Sequence, residues 1–316
     1  MNQKKVVITG GAGFIGSHTV DMFLSKGYQV IVIDNLRSGD MKNLKHCIDS
    51  IQFVRGDILD ADMLREHIDS NTSVVHLAAL ISVPESIEKP SESHAINVTG
   101  TETILSVCRE KGALSFVSAS SAAVYGNNSK MPLSEVSETG PISPYGLHKL
   151  VNEQYGKLYT SLYNLNTIFL RFFNVYGPRQ KAEGGYASVI PVFLKKLNAH
   201  EAPTIFGDGT TIRDFVFVKD VARALYQATE TARASKTPVH DIYNIATGNK
   251  TSLSELWNMM CDIKGVSIEP IFGPERIGDI HESYADIRKA KECIKFEALT
   301  TMEEGLRELI DYSRKS

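Results

Sequence analysis

Cysteine is scarce. Cys47, Cys108, Cys261 and Cys293 are the four in 316 residues, and no two of them stand in a C-x-x-C or other metal-ligand spacing. No disulfide framework is expected, and the chain reads as a reduced, cytoplasmic protein with buried thiols. The nine histidines are equally scattered, so no metal is expected from them. Charge of one sign is lacking too: the net charge is −3 and no long run of like charge occurs. Nucleic-acid affinity rests on clustered Lys and Arg, so that partner class is excluded. No apolar stretch approaches the roughly 18 residues that a membrane helix needs. The first strand pattern begins so early that no signal peptide is expected before it. Internal repeats and low-complexity tracts are absent as well. What the chain does have is 42% apolar residues, enough for a full core in one large domain or two lobes.

Those apolar residues are arranged in short continuous runs. "KKVVITG", "YQVIVIDN", "IQFVRGDI", "SVVHLAA", "LSFVSASS" and "NTIFLRFFN" read as six buried strands, with "VHDIYNIATG" as another further on. Helical patterns lie between most of them. In "FIGSHTVDMFLSKG", Phe14, Ile15, Val20, Phe23 and Leu24 can share one side, and Gly27 suits the C-terminal cap. Buried strands alternating with helices predict an α/β fold, a doubly wound parallel sheet of the Rossmann type. After Asn174 the pattern changes to a Gly/Pro-rich loop and short elements. Residues 1–173 plus about 215–247 are expected to form the nucleotide-binding domain. Residues from about 174 to 214 and from 248 to 316 are expected to form a smaller mixed α/β lobe.

Two motifs carry chemistry. "TGGAGFIG" sets Gly10, Gly13 and Gly16 between the first strand and the first helix. Glycine there permits a tight turn and the close approach of a pyrophosphate, and the helix N-terminus offers free N–H groups. Asp34, about 20 residues on, ends the second strand, where a carboxylate suits the ribose hydroxyls of NAD and repels a 2′-phosphate. Arg37 argues the other way. Asp57, after the third strand, is placed to meet the adenine or to cap a turn. The second motif is "SPYGLHK", with Tyr145 and Lys149 one helical turn apart on one face. An ammonium beside the phenol, together with the positive ring of NAD⁺, is expected to lower the phenol's pKa and make it a base near neutral pH. Such a pair is common by chance. Ser120 and Ser121, at the end of the fifth strand, give it a context, because ligands of these sheets bind at strand carboxyl ends.

With "DNLRSG", "GDILD", "VVHLAA", "NVTGTETIL", "SSAAVYG", "LRFFNVYGPRQ", "IFGDGTTIRDFVFVKDVARAL", "YNIATG" and "RIGDIHESYADIRKA" added, the chain resembles the extended short-chain dehydrogenase/reductases, in particular the UDP-hexose 4-epimerases, along essentially its whole length. The resemblance implies that Gly10, Gly13, Phe14, Ile15, Gly16, Asp34, Asn35, Asp57, Ile58, Leu77, Ala78, Ala79 and Asn97 bind NAD, with Tyr145 and Lys149. It implies Ser121 as the catalytic hydroxyl, Tyr145 as base and Lys149 as its partner. It implies that Asn174, Val189, Phe206, Arg213, Arg276 and Asp279 hold the UDP-sugar. Ile81 departs from the pattern, since some epimerases carry a lysine there that reaches the cofactor ribose.

Related dehydratases place an acidic pair after the hydroxyl residue; here Ala122 and Ala123 follow Ser121, so dehydration is not expected. The resemblance instead implies inversion at C4 through a 4-keto sugar, with UDP kept anchored. Ser283 aligns with a position beside the sugar, where a tyrosine would fill space near C2 and a serine leaves room for an N-acetyl group. UDP-glucose and UDP-galactose are the expected substrates, with UDP-GlcNAc and UDP-GalNAc in addition. The alternatives are a UDP-glucuronate epimerase or another nucleotide-sugar enzyme of the family, or a non-catalytic NAD-binding protein. A homodimer is implied through the helices near "INVTGTETILSVCRE" and "SPYGLHKLVNEQYGKLYTSL".

Overall fold

The computed structural model describes residues 3–181, 188–275 and 280–314. Its first half contains β1 (Lys5–Thr9), α1 (Phe14–Ser25), β2 (Gln29–Asp34), β3 (Ile51–Arg55), α2 (Ala61–His67), β4 (Thr72–His76), α3 (Val83–Glu88), α4 (Pro90–His94), α5 (Gly100–Lys111), β5 (Ser115–Ser121), α6 (Pro144–Tyr163) and β6 (Thr167–Phe172). The second half contains β7 (Asn174–Tyr176), α7 (Val189–Asn198), β8 (Thr204–Phe206), β9 (Ile212–Arg213), β10 (Phe215–Phe217), α8 (Val218–Ala234), β11 (His240–Ile245), β12 (Thr251–Ser252), α9 (Leu253–Lys264), β13 (Ile271–Gly273), β14 (Glu282–Ser283), α10 (Arg288–Ile294) and α11 (Met302–Ser313).

Seven parallel strands make the main sheet, in the order β11-β6-β5-β4-β1-β2-β3. All seven apolar runs read from the sequence are in it. Successive side chains of a strand point to opposite faces, and both faces are covered. Val6 and Ile8 of β1 pack with Val20 and Phe23 of α1 and Val221 and Leu225 of α8. Val7 packs on the other side with Leu64, Ile104, Leu105 and Tyr159. The chain runs outward from β1 through β2 to β3 and then returns to β4 on the other side of β1. This reversal opens a crevice beyond the carboxyl ends of β1 and β4.

A second core lies around Phe193, Trp257, Met260, Leu306 and Leu309, roofed by short two- and three-stranded sheets. Phe215 and Phe217 of β10 pack into this second core, whereas Ala290, Ile294 and Phe296 join the first. Three of the four cysteines are buried, but Cys293 is exposed, against the expectation for it, because it falls on the outer side of the short helix α10. Among the described residues, no helix is long and apolar enough to cross a membrane.

Candidate active site

A cavity of about 650 Å³ runs from the glycine loop to the second core, within the size range of small-molecule sites. At one end the backbone comes too close for side chains. Gly10 has φ +71°, and a Cβ on it would stand 2.7 Å from the Ala78 nitrogen. A Cβ on Gly16 would stand 2.1 Å from the Gly10 carbonyl oxygen. Helix α1 therefore begins directly against the ends of β1 and β4. Its N-cap, Gly13, makes no side-chain cap bond, and its first turn holds no acidic residue, so the N-terminus faces the cavity as an anion site.

Asp34 closes β2 and lines the same cavity. Its Oδ2 accepts from Ala12 N at 3.0 Å and its Oδ1 from Leu36 N at 2.8 Å. Each oxygen keeps a second lone pair for a hydroxyl donor. Burial pushes this carboxyl above its ordinary value, and the two N–H bonds pull it back. Arg37 does not oppose it, because its guanidinium is ion-paired with Glu92 and, at 2.9 Å, with Glu85. Asp57 accepts from Asn35 Nδ2 at 2.9 Å and from Leu59 N at 3.0 Å. With Ile58, Leu77, Ala78 and Ala79 they complete this half of the wall. A glycine cradle, a bare helix N-terminus and a carboxylate aimed at a diol fit NAD. Ile81 lines the wall as well and is 70% exposed, so an aliphatic side chain stands where a lysine was looked for.

Ser121, Tyr145 and Lys149 sit midway along the cavity. Ser143 caps α6 by accepting from Gly146 N at 3.1 Å, and Pro144 occupies the first helical turn. The helix thus starts where Tyr145 N can donate to Ser86 Oγ at 3.2 Å. The phenol lies beside the Ser121 side chain, whose Oγ accepts from Ala123 N at 3.1 Å. Lys149 Nζ lies 5.8 Å from the centre of the Tyr145 ring and donates to Ala119 O at 2.7 Å.

The electrostatics depart from expectation in one respect. In the protein alone burial outweighs every other influence on Tyr145. It holds the phenol above its ordinary range, and the neighbouring Ser121 hydroxyl pulls the other way. Lys149 does not reverse this, because it is itself desolvated, lowered to about 8, and its ammonium is engaged by the Ala119 carbonyl.

The far half of the cavity is lined by Asn174, Val189, Phe206 and Arg213. Asn174 donates its amide N–H to Asp214 O at 3.0 Å, and Arg213 Nη1 donates to Ile212 O at 2.9 Å. Asp214, fully buried, accepts from Thr247 N, Thr247 Oγ1, Gly248 N and Ala285 N at 2.8, 2.7, 2.9 and 3.2 Å. It thereby ties the strands that carry Asn174 and Arg213 to the turn after β11 and the segment after β14.

Two expected residues are not brought to the wall. Asn97 is buried, with its side chain spent on Leu80 N and Leu80 O at 2.8 and 2.9 Å, so it shapes the loop after β4. Ser283 is paired across the strands with Arg213 and is not among the lining residues. Arg276 and Asp279 lie outside the described residues. Sequence reasoning did not find Phe173, Tyr176, Gln180 or Thr211, which also line the cavity. The stretches "RFFNVYGPRQ" and "GDGTTIRDF" on which they lie were the only signal. Nor did it find that Asp21, His46 and Cys47 present ligand atoms within 4.8 Å of one another. Arg179 holds the other Asp21 oxygen at 2.9 Å, which makes the group a poor cation site.

Residues 6–246 match the NAD dependent epimerase/dehydratase family. The UDP-glucose 4-epimerase of Mycolicibacterium smegmatis is 36% identical over 314 residues, covering 98% of each chain. The solved structure of a UDP-N-acetylglucosamine 4-epimerase from Methanobrevibacter ruminantium M1, in complex with UDP-N-acetylmuramic acid, is 37% identical and matches with a TM-score of 0.93, over 100% of this chain and 99% of that one. The UDP-glucose 4-epimerase of Thermotoga maritima, with UDP-glucose, is also 37% identical, with a TM-score of 0.90 over 98% of this chain and 99% of that one. The glycine cradle, the Ser121–Tyr145–Lys149 group and this full-length likeness agree: the chain belongs to the NAD dependent epimerase/dehydratase family, among its NAD-dependent UDP-sugar 4-epimerases.

Proposed function

We propose that the protein inverts C4 of UDP-glucose and UDP-galactose, and of UDP-GlcNAc and UDP-GalNAc as well, through a 4-keto sugar. The observation that carries this is the Ser121, Tyr145 and Lys149 group lining one continuous cavity between a dinucleotide cradle and its Arg213 end. Gly10, Gly13, Phe14, Ile15 and Gly16 hold the pyrophosphate, and Asp34 takes the ribose hydroxyls. Asn35, Asp57, Ile58, Leu77, Ala78 and Ala79 wall the cofactor. Bound NAD supplies the hydride acceptor and donor for C4 and a positive charge beside the phenol. Tyr145 removes the C4 hydroxyl proton and returns it on the way back, while Ser121 hydrogen-bonds the same oxygen. Lys149 keeps a cation close to the phenol. Arg213 gives charge-assisted bonds to the diphosphate, with Asn174, Val189 and Phe206 beside it and Arg276 and Asp279 as further partners.

The N-acetyl substrates rest on the family likeness at Ser283, a small residue on the strand beside Arg213, although it does not itself line the cavity. Two copies are proposed to pair through α5 and α6, since Leu147, Leu158 and Leu162 of α6 are exposed. The test is a panel of UDP-sugars incubated with the purified protein and followed by NMR at the anomeric proton. Interconversion of UDP-glucose with UDP-galactose is expected. Turnover of a uronate alone, or of none of the panel, would sink the reading.

A further inference from the structure

One stripe of α6 is matched residue by residue to the end of β5. Tyr145, Lys149 and Glu153 stand four apart, one above the other. The Tyr145 phenol lies beside Ser121 in the cavity wall, Lys149 Nζ donates to Ala119 O at 2.7 Å, and Ser120 Oγ donates to Glu153 Oε1 at 2.6 Å. Three consecutive strand residues thus meet three helical turns. The third of these contacts has no part in the chemistry described above.

Glu153 is wholly buried, and its partner comes from the next strand. Arg171 stands opposite Ser120 in the β5–β6 register. Its Nε donates to Glu153 Oε1 at 2.9 Å and its Nη2 to Glu153 Oε2 at 2.7 Å. Its Nη1 donates to the Tyr125 hydroxyl at 2.9 Å and Glu135 O at 3.3 Å, and Tyr125 donates onward to Asn244 Oδ1 at 2.7 Å. A charge pair in such a place is costly to desolvate, and apolar side chains of like volume often give equal or greater stability. Stability is therefore a poor explanation for it.

We propose that Glu153, held by Arg171, is a positioning residue of the active site: it sets the rotation and depth of α6 on β5 so that Tyr145 meets Ser121, and it provides the negative charge facing the Lys149 ammonium. The proposal rests on the reading of Tyr145 and Lys149 as the reacting pair. The other titratable groups around Lys149 are Tyr145 and His148 on its own helix, His76 on β4, and Arg171 behind Glu153. Burial keeps His76 at about 3 and lowers His148 as well, so neither is a cation there near neutral pH. β5 contributes the Ala119 carbonyl. Among the described residues Glu153 is thus the one anion acting on Lys149; burial lowers the ammonium's pKa, Glu153 partly restores it, and the balance stands at about 8. The ammonium is complete below that value and is lost as pH rises through it. Without Glu153 the loss comes at lower pH.

The test is the pH dependence of kcat for the NAD-loaded protein with UDP-galactose. In E153Q the alkaline limb is expected to move down by about one pH unit or more, with KM little changed. E153D keeps the charge on a shorter stem, so its limb is expected at the wild-type position with a lower kcat. E153Q leaves a buried guanidinium without its partner, so the double variant E153Q/R171M is made as well, and it is expected to fold and to show the same lowered limb. A folded double variant with the wild-type limb, or an E153D limb displaced like that of E153Q, would overturn the positioning role. An inactive Y145F beside an unmoved limb removes this inference alone, whereas a fully active Y145F removes the reading beneath it.

Discussion

Gly156 is buried in the middle of α6, and its replacement by alanine sets two effects against each other. Alanine in a helix interior is favoured over glycine by about 1 kcal/mol. The added Cβ would stand 2.1 Å from Phe169 Cε2 and 2.7 Å from Cζ. That is about 1.4 Å short of carbon–carbon contact, which begins near 3.5 Å. Phe169 cannot withdraw easily: it is 0% exposed and is wedged between Phe116 and His240, each ring 6.0 Å away. The helix is also tied at this point, since Thr167 Oγ1 donates to Gly156 O at 3.2 Å. Overpacking of a rigid core costs about 1–3 kcal/mol, and the contact here is at the severe end. The clash wins. G156A should lose about 2 kcal/mol, or roughly 4 °C in Tm, in a thermal melt. Because α6 carries Tyr145 and Lys149 about two to three turns away, displacement of about 1 Å should also lower kcat by up to a hundredfold. A G156A variant at least as stable as wild type with unchanged kcat would mean that α6 is not seated on β6 in this way.

Other outcomes follow from the site and from buried groups. Y145F should lower kcat by about a hundredfold or more in a coupled epimerase assay, the usual worth of a positioned acid–base group; retention of full activity would refute the base assignment. D34N should weaken NAD by about 1.5–3 kcal/mol, the worth of charged hydrogen bonds, as read by calorimetric titration, and unchanged affinity would move the ribose elsewhere. S283Y should spare UDP-galactose turnover and abolish that of UDP-GalNAc; equal turnover of both would end the gatekeeper role. His18 is buried, donates from Nε2 to Pro178 O at 3.0 Å and titrates at about 4 in the fold against an ordinary 6.5. Its contribution to stability is complete above about pH 6.5 and is lost as pH falls toward 4, up to about 3 kcal/mol. H18Q should therefore melt with a flatter acid dependence between those values than wild type, and identical slopes would exclude His18.

The elements that were legible in the sequence are those whose cause is local. All seven strands of the main sheet were found because strands covered on both faces carry short continuous apolar runs, as "VVI" and "VIVI" do. The cofactor half of the cavity was legible for a similar reason. Gly10 and Gly16 mark places where backbone meets backbone, and the Ser143–Pro144 start of α6 fixes which turn Tyr145 and Lys149 occupy. The substrate half was far less so. Its walls come from short strands whose partners lie far along the chain, β9 between β12 and β14 for instance.

Periodicity, turn chemistry and a one-turn spacing are properties of neighbouring residues, and these alone determined the α/β architecture, the glycine cradle and the Tyr145–Lys149 pair. Distant residues meeting in space decided the rest. Arg171 and Glu153, 18 positions apart, become one buried unit only when α6 packs on β6. Asn97 turns to Leu80 and Ser283 pairs beside Arg213 because strand and loop packing places them there. The height of the Tyr145 pKa was decided in the same way, since desolvation depends on everything packed around a group and leaves no mark on the residues next to it in the chain.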